Sequence, residues 1–295
     1  MKRNFISILD WTSDEIRNNL DFAIKLKKQT NEGQCPQLLK GRTYGMFFQK
    51  PSLRTRISFE VGITQLGGSS IVLTEQDFKI GERETVSDVA KVMSRFVDGI
   101  LIRTFSHDMV SEIAEKATVP VVNMLTDFNH PCQVMSDVLT IKEKLGRIDN
   151  LRIAYLGDSN NMTVSWLNLA GRIPIDLRIG TAPETMPDMT LVEEIKGIGL
   201  SKIRVTNSAE DAVDGAEALY TDVWASMGEK DKITEREKVL RKFQINSNLL
   251  KYAAEDAFVL HCLPAERGKE ITEEVIEGPH SVVFDQAENR LHAQK

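Results

Sequence analysis

Residues 43–56 read Thr43-Tyr44-Gly45-Met46-Phe47-Phe48-Gln49-Lys50-Pro51-Ser52-Leu53-Arg54-Thr55-Arg56. The first six are a short apolar run of the kind a strand needs when both its faces are buried in a parallel sheet. The run stops at a polar loop, where Ser52 is a good helix N-cap. Arg54 and Thr55 fall in the first turn that follows, and apolar residues then recur at helical spacing over 56–66. The same unit repeats along the chain. Further apolar runs occupy 99–102, 119–125, 151–156, 218–221, 258–262 and 282–284, and helical periodicity marks 14–28, 86–96, 133–145 and 161–169. Strands alternating with helices over the whole length predict a doubly wound α/β architecture with mostly parallel sheets.

The chain has 295 residues, 41% of them hydrophobic and 27% charged, which is enough for one large or two medium domains. The segment 146–150 interrupts two dense halves directly after a helical stretch. It is the expected boundary between a first domain, 1–145, and a second, 146–280, with 281–295 as a C-terminal segment. A net charge of −6 with interspersed signs gives no basic face for nucleic acid. There is no run of 18 apolar residues to span a membrane, and the N-terminus lacks the apolar core of a signal peptide. Cys35, Cys132 and Cys262 are odd in number and unevenly spaced. That argues against a disulfide framework and for a reducing, cytoplasmic setting. No CxxC or HxxxH pair offers a metal site.

In open α/β sheets ligands bind at the carboxyl ends of the strands. After the first run, Ser52, Arg54, Thr55 and Arg56 surround a helix N-terminus, whose free N–H groups and positive dipole end suit a phosphate. The same signals also make an ordinary capped helix with solvated arginines, and this stretch alone does not choose between them. The run 99–102 ends in Arg103-Thr104, and 119–125 leads into His130-Pro131-Cys132-Gln133. Three successive strand ends with ligand-type residues favour a site. In the second half, 151–156 ends in Gly157-Asp158-Ser159-Asn160-Asn161, 218–221 in Asp222, and 258–260 in His261-Cys262-Leu263-Pro264. The glycine at 157 is not part of a GxGxxG pattern, so a dinucleotide site is not indicated. Asp222 and Cys262 are a carboxylate and a thiol at neighbouring strand ends, suited to hold a cationic amine and help remove its proton. Cys262 could equally be a small buried hydrophobe.

Five ordered motifs together resemble the transcarbamylase family, and within it the branch that uses ornithine. They are Pro51-Ser52-Leu53-Arg54-Thr55-Arg56, His130-Pro131-Cys132-Gln133, Asp222 with Ser226-Met227-Gly228, His261-Cys262-Leu263-Pro264, and Phe284-Asp285-Gln286-Ala287-Glu288-Asn289-Arg290. The resemblance covers nearly the whole chain. It implies transfer of the carbamoyl group of carbamoyl phosphate to the δ-amine of L-ornithine, giving citrulline and phosphate, with no metal or organic cofactor. It implies a first domain for the donor, a second for the amino acid, and a C-terminal segment returning to the first.

The resemblance also implies roles. Ser52, Arg54, Thr55 and the Leu53 backbone hold the phosphate. Arg103, His130 and Thr55 polarise the carbamoyl oxygen. Gln133 and carbonyls near Leu263 orient the carbamoyl amide, and Arg290 returns to the donor site. Asn161 takes the α-carboxylate, and Asp222, Ser226 and the Met227 main chain take the α-amino group. Cys262 faces the side-chain amine, with Leu125 supplying main-chain contact. Closure of the domains and of the loop around Ser226 protects a donor that decomposes in water. A cytoplasmic homotrimer acting in arginine biosynthesis or the urea cycle is expected.

Some positions depart from the family pattern. Leu53 stands where Thr is most common, and Leu there also occurs in relatives that use acylated ornithine. Glu266 stands where many ornithine enzymes have His. The segment 77–88, with Lys79 and Arg83, loosely matches a loop that reaches a neighbouring subunit's site. The chain stops at Lys295, earlier than the resemblance leads one to expect, so a short final helix and lower stability are anticipated. Putrescine or an N-acylated ornithine as acceptor, and a silent binding protein, are the competing readings. Loss of Asp222 or of the Ser-Met-Gly stretch would favour the first, and lost phosphate ligands the second. Neither loss is seen.

Overall fold

The computed structural model describes residues 2–224 and 233–295. The chain divides into two compact units. Unit 1 is Met1–Ser136 with Asn289–Lys295, and unit 2 is Asp137–Glu288. Both dividing points fall inside helices.

Unit 1 begins with α1 (Ser13–Asn31), capped by Thr12 in a reciprocal box with Glu15. The strands β1 (Thr43–Phe48), β2 (Ser69–Thr74), β3 (Gly99–Arg103) and β4 (Val121–Leu125) form one parallel sheet in the order β2-β1-β3-β4. Helices α2 (Leu53–Gln65), α3 (Val86–Phe96) and α4 (His107–Lys116) make the crossovers, and α5 (Pro131–Leu145) follows β4. Phe47, Ile100, Ile102, Val110, Ile113 and Val121 pack into one buried cluster.

Unit 2 has β5 (Leu151–Leu156), α6 (Asn161–Ala170), β6 (Ile175–Gly180), α7 (Met189–Gly197), β7 (Lys202–Thr206), α8 (Ala209–Val213) and β8 (Ala218–Thr221). It continues through α9 (Ile233–Leu240), α10 (Ser247–Leu250), β9 (Phe258–His261), α11 (Glu273–Ile276) and α12 (Val283–Gln294), whose last residues group with unit 1. Its parallel sheet runs β7-β6-β5-β8-β9. The α/β architecture with parallel sheets read from the sequence is therefore present in both units.

The structure differs from the sequence reading in several places, and helices α4 and α7 to α12 were not among the periodic stretches. The strands β2, β6 and β7 were not foreseen, and 282–284 is not a strand. Ser281 makes a single bridge to Val259, and the chain then turns into α12, leaving the Phe284 side chain 60% exposed. Among the described residues no helix is long and apolar enough to cross a membrane.

Each sheet reverses its strand order once, between β1 and β3 and between β5 and β8. Such switch points open a crevice at the carboxyl edge. The strand register brings Phe48 beside Arg103 in unit 1, and Leu156, Thr221 and His261 into line in unit 2.

Candidate functional site

Unit 1 assembles its polar residues at the β1/β3 switch point. Ser52 adopts an extended backbone, and its Oγ accepts the Thr55 N–H at 3.3 Å, capping α2. Thr55 is fully buried one turn into the helix. Its Oγ1 lies 3.0 Å from Ser52 Oγ and accepts Arg103 Nη1 at 3.3 Å and Arg290 Nη2 at 2.7 Å. Arg103 is the last residue of β3, and Arg290 comes from α12. Arg290 also donates to Gln133 Oε1 at 2.6 Å, while Gln133 N–H bonds the His130 carbonyl at 3.1 Å. Two guanidinium groups thus converge on one neutral hydroxyl at a helix N-terminus, with His130 buried beside them. Burial, reinforced by Arg290 and then Arg103, pushes the His130 imidazole well below its ordinary value, so it is neutral at pH 7.

Arg54 is partly buried, and its Nε has no hydrogen-bond partner among the described residues. The Leu53 side chain is 72% exposed, leaving its backbone N–H as its contribution to the turn. Leu125 ends β4, and its carbonyl accepts Thr104 N–H at 3.0 Å. Sequence reasoning gave Lys50 no role. It is buried, pairs with Asp127 and lies 4.1 Å from the Phe105 ring centroid, and so pins the loop that precedes Ser52. Its place two residues before the helix cap was the available signal.

In unit 2, the aligned ends of β5, β8 and β9 are followed by Gly157, Asp222 and Cys262. Gly157 has φ +122°, a conformation open to glycine and costly for other residues, and a Cβ there would lie 3.1 Å from Trp224 Nε1. Asp222 and Cys262 do come together: Cys262 Sγ donates to Asp222 Oδ1 at 2.9 Å, and that oxygen also accepts Val223 N–H at 2.8 Å. Burial, then the Asp222 charge, pushes the Cys262 thiol well above its ordinary value. At neutral pH it is a proton donor, not a thiolate.

Asn161 opens α6, and Asn160 caps it. Asn160, missed as a functional residue, donates Nδ2–H to Asp222 Oδ2 at 2.8 Å. Asp158 pairs with Arg236 at 2.5 Å, another contact the sequence did not announce. Ser226 and Met227, with Gly228, lie outside the described residues.

Cys262 leads into Leu263, a non-glycine residue at φ +56°. Its N–H donates to His261 Nδ1 at 2.9 Å, so the ring proton sits on Nε2, which bonds Glu270 Oε1 at 3.0 Å. Asp222, His261 and Cys262 bring one ligand-type atom each within 4.8 Å of the others. Both His261 nitrogens are already engaged, however, and the ring is committed to fixing the turn.

Unit 1 therefore offers donors and positive charge, suited to a phosphate and a developing oxyanion. Unit 2 offers a carboxylate and a protonated thiol, suited to an amine. Residues 3–143 match the family described as aspartate/ornithine carbamoyltransferase, carbamoyl-P binding domain, and residues 149–295 match its Asp/Orn binding domain. The chain is 49% identical to an ornithine carbamoyltransferase of Nitrobacter winogradskyi, over 99% of this chain and 95% of that protein. It is 44% identical to one of Methanoculleus marisnigri, over 100% and 95%. Its fold superposes on ornithine carbamoyltransferase from Pyrococcus furiosus with a TM-score of 0.95 at 42% identity, covering 99% of this chain and 94% of that one.

Proposed function

This chain belongs to the aspartate/ornithine carbamoyltransferase family, and on that premise we propose that it transfers the carbamoyl group of carbamoyl phosphate to the δ-amine of L-ornithine, releasing L-citrulline and phosphate. The observation that carries the choice of acceptor is Asp222, a carboxylate at the β8 end accepting from Asn160, Cys262 and Val223. It attracts the ammonium groups of a diamino acid and repels the second carboxylate of aspartate. The exposed Leu53 side chain gives no support to an acylated acceptor.

The roles follow from charge and geometry. Ser52, Arg54, Thr55 and the Leu53 N–H hold the phosphate at the start of α2. Arg103, Thr55 and neutral His130 point N–H and O–H donors at the carbamoyl oxygen, and Gln133 and the Leu263 carbonyl orient the carbamoyl amide. Arg290 braces Thr55 and Gln133. On the acceptor side Asn161 takes the α-carboxylate, and Asp222, with Ser226 and the Met227 main chain, takes the α-ammonium. Cys262 and the Leu125 main chain face the δ-amine.

The amine arrives as an ammonium, loses one proton to solvent and attacks the carbamoyl carbon. The tetrahedral oxyanion then collapses as the C–O bond to phosphate breaks, and the second amine proton leaves with the phosphate. Donors placed where that oxyanion forms contribute about 3–4 kcal/mol each in other acyl transfers. A cytoplasmic homotrimer serving arginine biosynthesis or the urea cycle completes the reading, and light scattering on a sizing column tests the assembly. The deciding experiment is citrulline formation from carbamoyl phosphate, with ornithine, N-acetylornithine, putrescine and aspartate offered in turn. Turnover with ornithine alone supports the reading. Turnover with another acceptor keeps the donor half and overturns the acceptor half.

A further inference from the structure

Asn160 is oriented by two donors that leave it no choice. Its Oδ1 accepts the Met162 backbone N–H at 2.8 Å and the Tyr155 hydroxyl at 3.0 Å. A backbone N–H can only donate, so the atom facing it is the oxygen and the amide cannot be flipped. Tyr155 is buried at 1% exposure, and its phenol is held protonated by burial and by the Asp222 charge, so it too remains a donor. With its oxygen committed, Asn160 turns Nδ2 to Asp222 Oδ2 at 2.8 Å. The other Asp222 oxygen is taken by the Cys262 thiol at 2.9 Å and the Val223 N–H at 2.8 Å. Three donors surround the carboxylate and hold it in one orientation.

We propose that Asn160, keyed by Tyr155, is a positioning residue that fixes the rotamer of Asp222, and through it the affinity for the ammonium group of the amino-acid substrate. This rests on the acceptor-side reading given above. The chain of contacts gives each member a separate task. Tyr155 sets the amide, the amide sets Oδ2, and Oδ1 is left facing the thiol. The cap on α6 and the link to Asp222 are made by different atoms of the same side chain, so one can be removed while the other is kept.

Asn160→Asp does this almost isosterically. One carboxylate oxygen can still accept from Met162 and Tyr155, and aspartate is as good an N-cap as asparagine. The other oxygen then meets Asp222 as acceptor against acceptor, so the two side chains turn apart and Asp222 loses its fixed rotamer. The expected result is a rise of at least about tenfold in KM for ornithine. KM for carbamoyl phosphate should stay within about twofold and the melting temperature within a few degrees, since unit 1 and the cap are untouched. Asn160→Ser, which caps but is too short to reach Asp222, is expected to show the same split between the two KM values, and it decides the matter if the aspartate variant does not fold.

The parent chain and Asp222→Asn are measured first. Ornithine turnover by the parent, with a raised ornithine KM in Asp222→Asn, upholds the acceptor reading. No ornithine turnover by the parent sinks that reading and the inference with it. With the acceptor reading upheld, an ornithine KM unmoved in a folded Asn160 variant sinks the inference alone. So does an equal rise in both KM values accompanied by a collapse in melting temperature, which would mark Asn160 as a helix cap and nothing more.

Discussion

Replacing Thr55 by Val tests the donor half most directly, because the two side chains have nearly the same shape and only the hydroxyl is lost. Thr55 Oγ1 accepts Arg290 at 2.7 Å and Arg103 at 3.3 Å and shares a 3.0 Å contact with Ser52. Hydrogen bonds to charged groups contribute roughly 1.5–3 kcal/mol each. The Arg290 bond belongs near the top of that range by its length and the Arg103 bond at the bottom. Arg290 keeps Gln133 as a second acceptor, so part of the loss is recovered. A destabilisation of roughly 2–4 kcal/mol follows, or about 3–6 °C in melting temperature for a chain of this size.

The effect on turnover is separate. If the hydroxyl donates to the forming oxyanion, its loss lowers kcat by roughly 10²–10³. Thr55→Ser keeps the hydroxyl and gives up one methyl, which costs about 1 kcal/mol of stability and little in kcat. The assay is citrulline formation under saturating substrates, run with thermal unfolding on the same samples. A valine variant within about threefold of the parent kcat, or a serine variant as poor as valine, would refute the reasoning.

Three further outcomes follow from burial and close packing. His130 is neutral in the folded chain and has an ordinary value near 6.5 when unfolded, so the unfolded chain binds more protons as pH falls below about 6.5. Its contribution is complete above that pH and is lost below it by up to about 1.4 kcal/mol per pH unit; urea midpoints from about pH 5 to 7.5 should slope less in His130→Asn. The Cys132 thiol is pushed up to about 12 by burial, so at pH 8 only about one molecule in 10⁴ carries the thiolate; peptide mapping should find it unalkylated by iodoacetamide while the chain stays folded. Gly180 leaves no room for a side chain, since a Cβ would lie 2.7 Å from Leu156 Cδ2 and 3.0 Å from Ala212 Cβ; Gly180→Ala should cost about 1–3 kcal/mol in chemical denaturation.

The parallel sheets were legible because strands buried on both faces are apolar at every position, as in Met46, Phe47 and Phe48. The strands that escaped notice lack that signature. β2 and β7 lie at sheet edges, where residues such as Ser69, Ile71 and Lys202 face solvent. β6 lies inside its sheet yet carries Arg178, which is buried because it pairs with Asp176 at 3.0 Å. A charge satisfied by a partner two residues away looks, in a linear sequence, like a break in the strand. The run 282–284 misled for the opposite reason: Val282 and Val283 are buried, but at the start of a helix.

The strand-end residues were legible as a group because strand-end position and residue type are both local. Their pairings were not. That Arg290 and Arg103 meet on Thr55, or that Asn160 rather than Asn161 faces Asp222, depends on register and helix phase, which a single sequence does not state. Glu270 and Arg236 act through tertiary pairings with nothing in their spacing to mark them, while Lys50 had only its place before the helix cap.

The two half-sites have opposite sign in a chain whose net charge is −6, so composition does not set the local field. Burial and backbone geometry do. In unit 1 the charges come from Arg54, Arg103, Arg290 and a helix terminus, and His130 beside them is kept neutral by burial, then by Arg290 and Arg103. That keeps the imidazole a hydrogen-bonding group instead of a further cation, which would bind the phosphate product as strongly as the transition state. In unit 2 the charge is the single carboxylate of Asp222, and the group that could add another, Cys262, is kept protonated by burial and by that carboxylate. A thiolate there would bind the ammonium more tightly and hold its proton against leaving. In each half burial, reinforced by neighbouring charge, suppresses the ionisation of a nearby group. On the function proposed above, the charge that remains suits a phosphate in one unit and an amine in the other.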